Sequence, residues 1–159
     1  MQRLLATVLL LASCASPVAS TVPADSIDFS AWQVQDYDGV SHDLSSQLSM
    51  GEPVVLVFWQ TWCLSCLAEA PALSLAARQH SGLHFYGVIS GDAETVDEAE
   101  VRKIAFQKTL PYPQVLDRDL GLTEAFGITG TPTIVVVGPG GEILHRGHSA
   151  DVDWGGIDS

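Results

Sequence analysis

Three apolar runs along the chain predict the buried strands of a single sheet. Residues 54–59 follow Pro53 and consist of valine, leucine and aromatic side chains, whereas residues 83–89 alternate before they become continuously apolar. Residues 133–137 form the third run, and a turn of glycine and proline separates it from a hairpin partner at residues 143–146. Continuous runs of β-branched and aromatic residues are typical of strands that are covered on both faces.

Between the first two runs the spacing of apolar residues becomes helical. This spacing predicts a helix that begins at Cys63, is interrupted by Pro71 and is ended by Gly82. A second helix is predicted over residues 92–108, with acidic residues in its first turns, where the helix dipole favours negative charge, and a short third helix over residues 120–126. The apolar face of the first helix is predicted to consist of Leu64, Leu67, Leu73 and Ala77.

The beginning of the folded region is predicted to be a β-hairpin over residues 29–44. Trp32 and Val34 alternate with polar neighbours, and the Asp-Gly pair at residues 38–39 supplies the turn. Asp117 is predicted to be a loop or capping residue. Together with the strands and helices above, this order predicts an α/β fold whose central mixed sheet is flanked by helices.

Composition and charge narrow the possible partners. The chain of 159 residues fits one domain, and its hydrophobic content of 47% is that of an ordinary folded protein. Lysine and arginine total 7 against 19 acidic residues, which gives a formal net charge of -12. Nucleic acids and anionic lipids attract lysine and arginine, so this balance argues against nucleic-acid partners and against electrostatic attachment to a membrane.

The N-terminal residues predict export. Residues 1–13 contain a basic residue followed by an apolar run that is too short to span a bilayer, as in a signal peptide. The sequence Leu-Ala-Ser-Cys that ends at Cys14 resembles the lipobox of bacterial lipoproteins, which implies cleavage before this cysteine and its acylation. Residues 14–28 would then be a lipidated tether on the cell envelope, facing the periplasm or the exterior, and residues 29–159 the folded domain. Cleavage after residues 18–20, which would give a soluble periplasmic protein, is the alternative.

Cys63 and Cys66 are the strongest candidates for chemistry. In an exported chain whose third cysteine is lipidated or removed, an isolated Cys-x-x-Cys pair favours redox chemistry over a structural framework. Cys63 at the start of a helix meets unpaired N–H groups that stabilise a thiolate, so it is the predicted attacking nucleophile. Cys66 lies one turn further along the same face, is predicted to be the more buried, and is the predicted resolving thiol.

Zinc binding and a purely structural role of this pair stay open at the level of sequence. The motif Cys63-x2-Cys66-x13-His80-x3-His84 matches the spacing of a zinc finger. The helix directly after the cysteines and Gly82 between the histidines do not fit that fold. The pair is also compatible with a structural disulfide or with idle thiols. The five histidines form no convincing cluster and no cofactor motif is present, so neither a metal nor another cofactor is expected.

A wider set of residues around the cysteines carries a family resemblance. Residues 59–66 (WQTWCLSC) follow an apolar strand, and Glu69 and Pro71 come after them at the spacing of a Cys-x-x-Cys-x-x-Glu pattern. Far along the chain, residues 127–133 (GITGTPT) form a second signature. In combination these segments resemble the membrane-tethered TlpA/ResA-type oxidoreductases of the thioredoxin fold, over residues 29 to about 148.

The resemblance implies a thioredoxin fold with the N-terminal hairpin as an extension, and it assigns roles to further residues. The Thr131–Pro132 bond would be cis and packed against the cysteines, where the preceding backbone pairs with a substrate chain. Glu69 would tune the thiols and, if buried, exchange protons with the second of them; an ordinary exposed helical glutamate is the alternative. Trp62 would shape the site and shield the first sulfur.

By the same resemblance the protein would be an exported reductant of protein disulfides that acts through a Cys63–Cys66 dithiol. A membrane protein that relays electrons would restore the dithiol, and apocytochromes c are among the substrates of the family, which implies a role in cytochrome c maturation. A disulfide-donating oxidase, a copper-binding assembly factor and a plain binding lipoprotein are the alternatives. Leu64 and Ser65 between the cysteines imply a moderate potential, and the few residues after Arg146 imply a C-terminal helix that is short or missing.

Overall fold

The computed structural model describes residues 32–159, and a five-stranded sheet forms the centre of this range. Within it the strands are β1 (Gln33–Gln35), β2 (Ser41–Asp43), β3 (Val54–Phe58), β4 (His84–Ser90), β5 (Gln114–Asp117), β6 (Thr133–Val137) and β7 (Ile143–Gly147). The helices of the same range are α1 (Leu44–Ser49), α2 (Leu64–Gln79), α3 (Glu98–Gln107), α4 (Gly121–Ala125) and α5 (Trp154–Ile157).

The central sheet is mixed, as predicted, and its strands lie in the order β5-β4-β3-β6-β7. β3, β4 and β5 are parallel, whereas β6 runs antiparallel to both β3 and β7. Every residue of β3 is buried, because β4 and β6 pair with its full length and helices cover both of its faces. Phe58 at the end of β3 pairs with Thr133 at the start of β6, so the loop after β3 and the loop before β6 meet at the same end of the sheet.

Helices cover the sheet on both faces. Successive side chains of a strand point to opposite faces, so Leu56 and Phe58 of β3 pack with α1 and α4, whereas Val55 and Val57 pack with α2. Val101 of α3 belongs to a third cluster. This cluster also contains Cys66 of α2 and Cys63, the residue directly before that helix. Burial of each such aliphatic or aromatic side chain contributes about 1.5–3 kcal/mol.

The predicted N-terminal hairpin is confirmed, and a side chain of α3 attaches it to the rest of the fold. Asp36 closes the turn by accepting the Val40 N–H, and its second carboxylate oxygen lies 2.8 Å from Nε2 of His42 on β2. Arg102 of α3 lies over the ring of Tyr37, 4.2 Å from its centroid, and donates to the Tyr37 carbonyl.

The course of α2 differs from its prediction in three respects. The helix runs without a break through Pro71, because the proline removes a single N–H while Ala70 and Leu73 on either side stay packed in the interior. It ends at Gln79, earlier than predicted. Leu64, which was predicted on the apolar face, is 81% exposed because it lies on the solvent side of the first turn.

Aspartates set the ends of elements that the sequence prediction misses or misplaces. Neither α1 nor β5 is predicted, and α1, with only six residues, depends on Asp43, which accepts a backbone N–H of its first turn. α3 begins at Glu98 rather than at residue 92, because Asp97 accepts two N–H groups of the first turn. Asp117 ends β5 and accepts two backbone N–H groups of α4, in agreement with its predicted capping role.

The C-terminal segment, which we define as residues 148–159, crosses the face of the sheet that α2 covers. α5 contains only four residues, so the implied short C-terminal helix is confirmed. The ring of Trp154 lies 5.2 Å from that of Phe85 on β4, measured between centroids, and Ile157 packs against the same cluster. Nδ1 of His80, which follows α2, lies 3.2 Å from the Asp158 carboxylate.

Candidate functional site

Both cysteines lie at the beginning of α2, at the end of the sheet where β3 ends and β6 begins. Cys63 is the N-cap of α2, and its Sγ accepts the Cys66 N–H at 3.2 Å. The two sulfurs form a disulfide with an S–S distance of 2.02 Å and a Cα–Cα distance of 5.2 Å. When this bond is reduced, the unpaired N–H groups and the dipole of a 16-residue helix favour negative charge on Cys63.

Cys63 and Cys66 are equally buried, each being 5% exposed, so the prediction that Cys66 is the more buried is wrong. Both cysteines belong to one buried cluster, in which Trp59, Ile89 of β4 and Val101 of α3 take part. The two sulfurs still differ in their place on the helix. Cys63 caps the N-terminus, whereas Cys66 lies inside the first turn.

A buried pair of side chains fixes the segment that leads to Cys63. Trp59 Nε1 donates to Gln114 Oε1 at 2.9 Å, and Gln114 Nε2 donates to the Tyr112 carbonyl, also at 2.9 Å. Trp59 is 4% and Gln114 is 1% exposed, so neither polar group has water as an alternative partner. A Cβ at Gly87 would lie 2.0 Å from Gln114 Oε1, so glycine is needed there. The sequence prediction missed Gln114, because a single glutamine in a short strand carries no recognisable pattern.

A second anchor joins the same segment to β4. Gln60 Nε2 donates to the Ser90 carbonyl at 2.7 Å, and the Trp59 N–H donates to the Val88 carbonyl at 3.0 Å. The Cys63 N–H in turn donates to the Gln60 carbonyl at 3.1 Å. The position of the first sulfur is therefore set by contacts with the interior strands.

The loop before β6 brings a cis-proline to the cysteines. The Thr131–Pro132 bond is cis, and Pro132 and Cys66 line the same narrow cavity of about 10 Å³. We call residues 130–133 the Pro132 loop. Within residues 32–159, neither the N–H nor the C=O of Thr131 has a hydrogen-bond partner. Unpaired backbone groups at this place are suited to pair with an extended chain, as an added strand does.

Apolar surface flanks the first sulfur. Trp62 is 74% and Leu64 is 81% exposed, and they are the neighbours of Cys63 in the chain. Trp62 does not belong to the buried cluster that contains Cys63. Large apolar side chains exposed beside a reactive group are suited to contact the apolar part of a partner.

Glu69 is half-buried and hydrogen-bonded, which excludes the alternative of an ordinary exposed helical glutamate. Its Oε2 accepts the Ala150 N–H of the C-terminal segment at 2.7 Å. In the described part of the chain, no hydrogen bond joins Glu69 to a cysteine. The glutamate of the Cys-x-x-Cys-x-x-Glu pattern thus contacts the C-terminal segment.

His148, which the sequence pattern did not single out, contacts the Pro132 loop. Its Nδ1 lies 2.8 Å from the Pro132 carbonyl oxygen and 3.3 Å from Thr133 Oγ1. A carbonyl can only accept, so we assign the ring proton to Nδ1. The Thr133 hydroxyl donates to the Gly130 carbonyl at 2.7 Å. No sequence signal marks His148, because a single histidine after a strand is common and its partner lies 16 residues away.

The histidines of the zinc-finger spacing are far from the cysteines. α2 separates them, and a helix of 16 residues is about 24 Å long. His80 pairs with Asp158, and His84 Nε2 lies 2.6 Å from Glu52. In the part of the chain that the structure describes, no group of three or more His, Cys, Asp or Glu side chains could hold a metal ion. The zinc alternative and the copper alternative both lack a ligand set in this range.

The predicted signal peptide, the predicted lipidation site Cys14 and the predicted tether lie outside the described residues. These assignments stay predictions. Among residues 32–159, no helix combines the length and the apolar character that crossing a bilayer requires.

Comparison with known proteins agrees with this geometry. Residues 26–146 match the model of the AhpC/TSA family. The chain is 31% identical over 107 residues to a thioredoxin-like protein of Haemophilus influenzae, which covers 67% of this chain and 60% of that protein. It is 30% identical over 128 residues to the thiol-disulfide oxidoreductase ResA of Geobacillus thermodenitrificans, which covers 79% of this chain and 66% of ResA. The chain therefore spans less than two thirds of the length of either relative.

A solved structure supports the fold. The thioredoxin domain of a thiol-disulfide oxidoreductase from Bacteroides vulgatus has a TM-score of 0.66 and 25% identity, over 80% of this chain and 90% of that domain. The thioredoxin fold implied by the sequence resemblance is thus confirmed. Because the family model matches most of the sequence and the fold agrees with it, the chain belongs to the AhpC/TSA family.

Proposed function

We propose that this protein is an exported thiol–disulfide oxidoreductase of the TlpA/ResA type, and that it reduces disulfides in substrate proteins. The observation that carries the proposal is the Cys63–Cys66 bridge at the N-terminus of α2, beside the cis bond before Pro132. Similarity to ResA and to the Bacteroides vulgatus domain supports the same type of chemistry.

The reaction starts from the reduced pair and proceeds by two exchanges. The Cys63 thiolate attacks one sulfur of the substrate disulfide, a Cys63–substrate disulfide forms, and the other substrate sulfur leaves as a thiolate that takes up a proton. Cys66 then loses its proton and attacks Sγ of Cys63, so the Cys63–Cys66 bond forms. The bond from Cys63 to the substrate breaks, and the second substrate thiolate leaves and takes up a proton. Two electrons pass from the cysteine pair to the substrate, whose disulfide becomes two thiols.

Each contact near the cysteines has a role in this sequence of steps. The N-terminus of α2 stabilises the attacking thiolate, and the separation of 5.2 Å between the Cα atoms lets Cys66 reach Cys63 without movement of the backbone. The unpaired backbone groups of Thr131 align the substrate chain, and exposed Trp62 contacts its apolar side chains.

The direction of electron flow is tested by the equilibrium reduction potential of Cys63–Cys66, titrated against dithiothreitol and glutathione buffers. A potential well below about -200 mV, towards the value of about -270 mV for thioredoxin, supports a reductant. A potential near about -120 mV, as in DsbA, would overturn the reductant and indicate a disulfide donor. The control is Cys63→Ser, which should show no two-electron transition.

The membrane anchor is proposed from the lipobox resemblance at Cys14. Acylation of this cysteine would hold the domain on the cell envelope, close to a membrane thiol donor that returns two electrons per turnover. Incorporation of a labelled fatty acid into the wild-type chain but not into Cys14→Ser tests the anchor. Equal labelling of both proteins, or none in either, would contradict acylation at Cys14.

The substrate class is proposed from the same resemblance. Apocytochromes c expose the pattern Cys-x-x-Cys-His, whose two thiols must be reduced before haem attachment. Oxidised peptides with this pattern should be reduced faster than oxidised peptides of unrelated sequence. Equal rates would contradict a preference for cytochrome c maturation and would leave a general reductant.

A further inference from the structure

We propose that His148 is a positioning residue for the Pro132 loop, and that Glu69 holds it in place through the C-terminal segment. The inference rests on the proposed function, because it concerns how that site receives a substrate chain. It assigns Glu69 a role as the hydrogen-bond acceptor of the Ala150 N–H in the C-terminal segment, in place of proton exchange with the thiols.

The Pro132 loop is fixed through two carbonyls that flank Thr131. The Gly130 carbonyl accepts the Thr133 hydroxyl at 2.7 Å, and the Pro132 carbonyl lies 2.8 Å from Nδ1 of His148. Thr131 itself keeps its N–H and C=O unpaired within residues 32–159. The two bonds therefore hold the loop without occupying the backbone groups that a substrate strand would use.

The C-terminal segment connects this loop to the helix that carries the cysteines. Two residues after His148, the Ala150 N–H donates to Glu69 Oε2 at 2.7 Å. Glu69 lies one helical turn after Cys66, on the same side of α2. Two residues of extended chain span at most about 7 Å, so His148 stays within that distance of Ala150.

The rest of the C-terminal segment is attached by contacts of its own. Trp154 packs against Phe85, and His80 pairs with Asp158. These contacts fix the segment after Ala150, and Gly147 of β7, which pairs with Ile134 of β6, fixes the chain before His148. The segment thus forms a short connection between α2 and the Pro132 loop. Loss of the connection should loosen the loop while leaving the sulfurs in place, because the cysteines are anchored through β4 and β5.

The test compares two substrates of the fully reduced protein. The first is a disulfide-bridged peptide, whose backbone can pair with Thr131, and the second is hydroxyethyl disulfide, which has no peptide backbone. In His148→Ala we expect the ratio of the two second-order rate constants, peptide over small disulfide, to fall about five- to tenfold, the effect of one lost hydrogen bond. His148→Asn, whose side-chain N–H can replace Nδ1–H, should restore the ratio to within about twofold.

Glu69 provides an independent test that separates a positioning role from proton exchange. Glu69→Gln retains a carbonyl oxygen that can accept the Ala150 N–H, so the ratio should stay close to that of the wild type. Glu69→Ala removes the acceptor and should lower the ratio as His148→Ala does. Ser149→Ala is the matched control, since Ser149 is exposed and lies between the two contact residues.

Three results would overturn the proposal. Rate constants for both substrates that match those of the wild type in His148→Ala would show that the loop needs no support from this side chain. An equal fall of both rate constants would show that His148 acts on the sulfurs and not on the loop. A Glu69→Gln variant as impaired as Glu69→Ala would favour proton exchange with the thiols as the role of Glu69. A wild-type protein that reduces neither substrate would instead overturn the proposed function itself.

Discussion

Two segments meet at the Cys63–Cys66 disulfide, and they are held in different ways. The segment before Cys63 is anchored in the interior, where Trp59 bonds to Gln114 and Gln60 bonds to a carbonyl of β4. The Pro132 loop receives its side-chain support from His148, at the beginning of the C-terminal segment. The position of the sulfurs thus depends on the core of the fold, whereas the backbone that we propose to bind a substrate depends on the C-terminal segment.

The largest effect is expected from substitution of the two cysteines, where both segments meet. Cys63→Ser should reduce disulfide exchange to the background rate, because the thiol at the N-cap is lost and the remaining Cys66 is buried inside the first turn of α2. Cys66→Ser should still attack but accumulate the mixed disulfide, which mass spectrometry under non-reducing conditions detects. Accumulation in Cys63→Ser instead would reverse the two assigned roles.

The next largest effect is expected from loss of the buried hydrogen bond between Trp59 and Gln114. Gln114→Leu leaves the Trp59 N–H buried without an acceptor, so the free energy of unfolding should fall by about 1–3 kcal/mol. Denaturation by urea measures this change. Gln107→Leu is the matched control, because Gln107 is exposed on α3 and should change stability by less than about 0.5 kcal/mol. Equal midpoints for the two variants would contradict an anchoring role for Gln114.

A loss of stability within the same range is expected from the C-terminal segment. Trp154 is half-buried, so Trp154→Ala should cost about 2 kcal/mol, less than the roughly 3–5 kcal/mol of a fully buried tryptophan. The preference for the peptide over hydroxyethyl disulfide should fall as in His148→Ala, at an unchanged reduction potential. The control is Phe106→Ala, since Phe106 is 85% exposed. A shifted reduction potential in Trp154→Ala would show that the C-terminal segment also affects the sulfurs, and would contradict the separate support of the two segments.

The smallest effect concerns alkaline pH. Burial raises the pKa of the Tyr112, Tyr86 and Tyr37 phenols. Tyr112 also belongs to the interior contact, because its carbonyl accepts a hydrogen bond from Gln114. The unfolded chain ionises these phenols near pH 10, so it loses protons first and the free energy of unfolding falls as the pH rises above about 10.

Ultraviolet absorbance distinguishes phenol from phenolate and measures this titration. Phenolate should appear above the ordinary range for tyrosine, or together with the loss of structure. Reversible ionisation of all three tyrosines near pH 10 in the folded protein would contradict the burial of Tyr112 and Tyr86.

Local patterns in the sequence predicted the centre of the fold and the position of the sulfurs. The run at residues 133–137 coincides with β6, because an uninterrupted apolar strand between Pro132 and Gly138 has clear ends. The N-cap position of Cys63 follows from a strand, a short connection and a helical period, all within a few neighbouring residues. Sequence signals of this kind depend on neighbours in the chain.

The supports of the site could not be predicted in this way. The bond from Trp59 to Gln114 joins residues 55 positions apart, and neither side chain alone indicates its partner. His148 gives no signal, because only the register of β6 and β7 brings it to the Pro132 carbonyl. Pro71 misled the prediction, since packing on both sides of it outweighs the hydrogen bond that proline removes.

Cys63, whose sulfur is the proposed attacking group, is also the N-cap of α2, so folding and electron transfer share one thermodynamic cycle. The difference in unfolding free energy between the oxidised and the reduced protein must equal the difference in redox free energy between the folded and the unfolded chain. Every 30 mV of difference between the two potentials corresponds to about 1.4 kcal/mol. The proposed reductant should therefore be more stable when oxidised, and calorimetry of the oxidised and the reduced protein measures how far folding lowers the potential of the cysteine pair.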